Sequence, residues 1–271
     1  MPMQIEHARI AIRERTWLDN LDLSLQVLRT NFKSVVFWSL VGVLPAMAFN
    51  FAIIYWLFSD QLVESAAGDS VIAAVLLVMI EAPLAMSLLT LFLGQTLFVE
   101  QADGRRIVRE FVQALPQLLL LQLVLRIPLI LFLLTWLVPY GLWPYLNELI
   151  LLERNPLVSR GGQMSTRRRN AVFHQAGGGD YLLRALGAGL ISALLIVAGW
   201  ESCDLVLDML LGVQTGWMGQ MLTLQIVLWS IAVFFTISRF LAYLDQRIRT
   251  EGWEAELALR AQRDRLARHA A

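Results

Sequence analysis

Three ionisable residues stand inside strongly apolar stretches of this 271-residue chain: Glu81, Arg126 and Glu148. Groups of this kind in such surroundings could do two things. They could form a polar path that relays protons or admits a charged substrate, or they could pair and hold neighbouring helices in register. An ionised Arg near the centre of a bilayer costs about 2.5 to 3.5 kcal/mol on insertion scales. Eleven leucines between 117 and 138 offset it, at a few tenths each. Counted from the ends of their stretches, Glu81 and Arg126 fall at similar depth, so the spacing predicts an ion pair between them, with Glu148 as the other candidate. A neutral Glu81, or an Arg126 that snorkels toward the headgroups, would also fit.

Other chemistry has weaker support. Gly177 to Asp180 reads Gly-Gly-Gly-Asp, which matches the Gly-x-Gly-Asp of intramembrane aspartyl proteases. Those enzymes need a second Asp in a span to share a proton, and none is embedded here, so Asp180 is expected to cap a helix that starts at Tyr181. His7, His174 and His269 are isolated, and Cys203 is alone; no metal site and no cofactor is expected. The chain holds no His-Glu-x-x-His, phosphate-binding loop or Gly-x-Ser-x-Gly, and no catalytic residue is assigned. Arg105, Arg106, Arg167, Arg168 and Arg169 are expected to meet anionic lipid headgroups, at about 1 kcal/mol per basic residue. That attraction accounts for the basic cluster without a nucleic-acid partner.

The elements that must position these groups are apolar helices. Hydrophobic residues make up 57% of the chain and charged residues 16%, against about a quarter charged in soluble domains. Long apolar runs predict an all-α, polytopic membrane protein with about six spans, near 35–58, 71–99, 117–138, 140–153, 181–200 and 217–243. The first run is too long for a cleavable signal peptide. Residues 1–34 read as an interfacial amphipathic lead, with Trp17, Leu18, Leu21, Leu25, Leu28 and Phe32 on one face. A solvated helix packing on the protein is the other reading. Arg105, Arg106 and Arg109 face away from Ile107, Val108, Phe111, Val112 and Leu115 in a second such segment. The tail 244–271 reads as a charged helix with Glu256–Arg260 and Asp264–Arg268 at i,i+4.

Charge placement predicts orientation. Segments 1–34, 100–116, 154–184 and 239–271 hold every Lys and Arg except Arg126. By the positive-inside rule both termini lie in the cytoplasm. An even number of crossings must then separate Arg109 from Arg154. Pro139, Gly141 and Pro144 break the intervening apolar run into a hairpin, whose second arm either crosses or is re-entrant. A weak internal repeat, amphipathic segment then span, loop and span, begins near Trp17, Arg105 and Met164.

Two stretches carry a resemblance. LDLSLQVLRTNFKSVVFWSLVGVLPA at 21–46, with its Leu44-Pro45, and YLDQRIRTEGWEAE at 243–256 resemble the membrane domain attached to some bacterial glycerophosphodiester phosphodiesterases and related six-span bacterial membrane proteins. The resemblance implies the bacterial cytoplasmic membrane and a helical fold. No catalytic barrel is expected in this chain, and no catalytic residue is expected to carry over. The expectation is a non-enzymatic scaffold or lipid-associated component, with a membrane-protein partner or a second copy as candidate associates. The alternative is a small transporter or permease subunit using Glu81, Arg126 and Glu148.

Overall fold

The computed structural model describes residues 17–59, 68–96, 102–124, 126–131, 138–157, 159, 164–210, 212 and 216–251, with the side chains of 131, 138, 174–180, 210, 250 and 251 left aside. Among these residues every regular element is helical. Five stretches are long and apolar enough to cross a membrane: Phe32–Phe58, Gly68–Thr96, Gly104–Ile130, Tyr181–Met209 and Trp217–Arg249. The protein is therefore an all-α, multi-pass membrane protein.

A short helix, α1 (Trp17–Thr30), leads into α2 (Phe32–Phe58). The second span is two helices, α3 (Gly68–Ala85) and α4 (Ser87–Thr96), broken at Met86. Pro83 has no N–H to donate and opens this break. Gly42 of α2 packs against it so closely that a Cβ there would lie 1.9 Å from the Ala85 carbonyl oxygen. Helix α5 (Gly104–Leu118), capped by Asp103 through the Arg105 N–H at 2.9 Å, continues as a π-helical stretch, Leu119–Val124, and then α6 (Arg126–Leu131).

The expected fourth span differs. The region 140–153 is two short helices, α7 (Val138–Leu142) and α8 (Leu146–Leu151), instead of one membrane-length helix. Pro139, Gly141 and Pro144 prevent a longer run. Helix α9 (Thr166–Leu205) begins at Ser165, whose hydroxyl accepts the Arg168 N–H, and passes through Gly177 to Asp180 without interruption. Asp180 therefore does not cap a helix starting at Tyr181. The Tyr181 hydroxyl donates to the Phe173 carbonyl at 3.0 Å and ties the two sides of the glycine run together. A π-helical turn, Val206–Leu210, ends α9, and α10 (Trp217–Glu251) closes the bundle.

Helix α10 is the trunk, in contact with α9, α1, α3 and α4. Around it pack Val43, Leu89, Phe92, Leu118, Leu224 and Phe240, all buried. Tyr145, Phe173, Tyr181 and Tyr243 form a second knot, with ring centroids 5.6 to 6.2 Å apart and mostly edge-to-face. The predicted apolar stripe of α1 splits. Leu28 packs on the core with Leu23 and Val27, while Leu18, Leu25 and Phe32 face outward. Its bundle-facing side also buries Asn20 and Ser24. The tail pairs Glu256–Arg260 and Asp264–Arg268, together with His7 and His269, lie outside the described residues.

Candidate functional site

The polar site begins with Pro83. A proline leaves the carbonyl four residues earlier, here that of Met79, without its helical N–H partner. The Tyr140 hydroxyl donates to that carbonyl at 3.4 Å, and Asn147 Nδ2 donates to the Pro83 carbonyl at 2.6 Å. Met79 and Pro83 are i and i+4, so both acceptors lie on one face of α3. From Asn147 the chain of bonds continues: Gln122 Nε2 donates to Asn147 Oδ1 at 2.6 Å, and Arg126 donates to Gln122 Oε1 at 3.0 Å. The Arg126 guanidinium lies 4.4 Å from the centre of the Tyr140 ring. These contacts put it level with Met79, roughly 16 Å along the helix from Gly68.

The return leg of the hairpin runs antiparallel to its outward leg, pinned at successive levels. Arg154 pairs with Glu110, Gln117 donates to the Asn155 carbonyl, Gln122 holds Asn147, and Arg126 covers Tyr140. An irregular leg at membrane depth is tolerated when it is buried in protein. Helix α8 meets that condition, because all six of its residues are buried.

The three predicted residues occupy three different places. Glu148 is fully buried and takes Arg239 of α10 as its ion-pair partner, Nε to Oε1 at 2.8 Å. Glu81 meets Asn50 of α2. The Asn50 amide can donate to Gln225 Oε1 at 3.4 Å or, turned over, stand 3.1 Å from both Glu81 oxygens; an ionised carboxylate selects the second orientation. Arg126 makes no ion pair among the described residues, and its partners are Gln122 and Tyr140. The predicted Glu81–Arg126 pair is thus absent, for an angular reason. Arg126 sits on the side of α3 that carries Met79, and Glu81, two residues on, points about 200° around the helix.

At the basic end, Arg105, Arg106, Arg167 and Arg168 are exposed. Arg169 is turned inward, where it clamps Glu153 at 2.7 and 3.2 Å and lies 4.8 Å over Phe173. The Tyr243 hydroxyl donates to the same carboxylate at 2.9 Å. Glu110 accepts from Arg106 at 2.7 Å and also from Arg154.

Sequence reasoning missed Gln122, Asn147 and Arg239 in the buried set, and Asn50 and Gln225 beside Glu81. A usable signal existed: side-chain amides inside apolar runs need partners as charges do. Among the described residues no His, Cys, Asp and Glu group could hold a metal. The arrangement can bind helices to one another and fix guanidinium groups in place. No family model, curated protein or solved structure matches the chain.

Proposed function

We propose that this chain is a non-enzymatic, lipid-associated scaffold of a bacterial cytoplasmic membrane, with both termini in the cytoplasm. One observation supports the reading: Glu81, Arg126 and Glu148 each have a neighbouring residue as partner. Arg126 is held by Gln122 and Tyr140, Glu148 by Arg239, and Glu81 by Asn50, with Arg126 only 5% and Glu148 0% exposed. A relay needs groups free to change partner or protonation state, whereas these serve as polar cross-links.

In liposomes loaded with a pH-sensitive dye, the purified protein should carry no proton flux above that of empty liposomes under a pH gradient. Flux that disappears in Glu81→Gln would establish the transporter reading instead. The proposed orientation has its own test. Cysteines placed at Gly68 and Gly212 should label from outside intact cells and one at Gly104 only after lysis, and the reverse pattern would invert the topology.

A further inference from the structure

The basic end of the bundle holds a cleft that the scaffold reading leaves unused. About 170 Å³ in volume, it lies between the end of α4, the start of α5, the segment after α8 and the last turns of α10. Arg106, Arg154 and Arg247 stand on its rim against the single carboxylate of Glu110, an excess of two positive charges, while Leu152 and Phe240 line its apolar wall. We propose that this cleft is a binding site for the phosphate headgroup of an anionic phospholipid, a proposal that rests on the lipid-associated part of the reading above.

Two features carry it. First, Glu110 accepts from Arg106 through Nε and from Arg154 through one terminal nitrogen. A guanidinium has five N–H donors, so the carboxylate orients both groups and leaves them further donors for a phosphate. Paired guanidiniums suit phosphate oxygens by geometry as well as charge.

Second, Arg154 adopts φ 54°, the one non-glycine residue with positive φ among those described. Glycine is the ordinary occupant of such a position after a helix. A side chain there carries a conformational cost, and the guanidinium it delivers to the cleft is its visible return. The volume is below the usual range for pockets that enclose whole ligands, so a headgroup would enter and its acyl chains would remain in the bilayer.

The test uses the full chain in neutral detergent micelles. Phosphatidylglycerol and phosphatidylcholine are supplied as competing probes, and retained lipid is read by native mass spectrometry. Wild type should retain phosphatidylglycerol in preference. Arg154→Gly suits the backbone and removes the guanidinium, so it should lower that retention about fivefold in a protein that still assembles. Arg168→Gln removes one charge from the same end and should leave the preference intact.

Equal retention of the two lipids by wild type, an unchanged preference in Arg154→Gly, or an equal loss in Arg168→Gln would each overturn the site. Displacement of phosphatidylglycerol by millimolar inorganic phosphate would assign the cleft to a soluble anion and overturn the lipid assignment. Should Arg154→Gly fail to assemble, Arg106→Gln, whose side chain is 60% exposed, provides the same comparison. Loss of lipid preference in a protein that still assembles and carries no flux would remove this site and leave the scaffold reading standing.

Discussion

Helices α9 and α10 lie against each other and are similarly apolar, yet 44% of the apolar stretch of α10 is buried and none of that of α9. What separates them is polar content. Helix α10 buries Gln225, Thr236 and Ser238 and half-buries Arg239: Gln225 and Thr236 bond within the helix, to Trp229 and the Ala232 carbonyl, and Arg239 reaches across to Glu148. The outward face of α9 is Leu183, Leu190, Leu194 and Val197, while Gly199 sits where a Cβ would meet Val227 at 3.0 Å. In water apolar residues mark the interior. In a bilayer lipid accepts them equally well, so small and polar residues mark the helix–helix contact instead.

The comparison can be broken most forcefully at the Glu148–Arg239 pair. If α10 is the trunk because of its polar attachments, Glu148→Leu should leave Arg239 without its carboxylate. The expected loss is about 3 to 5 kcal/mol in a reversible unfolding titration. Replacing both, as Glu148→Leu with Arg239→Met, should recover most of that, because apolar substitution of a whole buried pair is often neutral. A single mutant as stable as wild type would show that the hairpin is not fastened to α10 through this contact.

A smaller effect is expected at Gln225. Its Oε1 accepts from Trp229 Nε1 at 3.0 Å, and its amide abuts Asn50. Gln225→Leu removes both contacts from a fully buried position. Only the Asn50 contact is interhelical, and such contacts in membranes average about 0.6 kcal/mol, so the same titration should show a loss of about 0.5 kcal/mol. A gain would mean that this amide costs the fold more than its contacts return.

How much of this was legible in the sequence follows from what periodicity and charge counting measure. Runs of apolar residues placed the five long helices, and the Pro139, Gly141 and Pro144 breaks placed the hairpin, because both depend on local composition. Direction around the axis was not legible. A helix apolar on every side gives no moment to say which face meets which neighbour, and so Glu81 was assigned to the wrong partner. Arg239 was hidden differently. The positive-inside count adds it to the basic tail, since a count of Lys and Arg cannot distinguish a guanidinium in the headgroups from one turned inward to Glu148. Asp180 misled for a third reason. Three glycines read as a break, but cooperative propagation from the helix on either side carries through them.

The smallest expected effect lies on α9, and it sharpens the comparison furthest. Leu190 and Leu194 are i and i+4 on the outward face, 65% and 63% exposed. If lipid covers that face, their side chains touch acyl chains both in the folded bundle and when the helix stands alone in the membrane. Shortening them should then cancel between the two states. Leu190→Ala with Leu194→Ala should change stability by less than about 0.5 kcal/mol, as for substitutions away from any contact. A Trp at position 190 should in turn be quenched by lipids brominated along the acyl chain. If another protein surface covers the face, the same truncation leaves a cavity at a packed interface. It should then cost about 2 kcal/mol or more, and the quenching should be weak. A large loss with poor quenching would make α9 an assembly face like α10, and the contrast between the two helices would be only that α10 finds its partners within this chain.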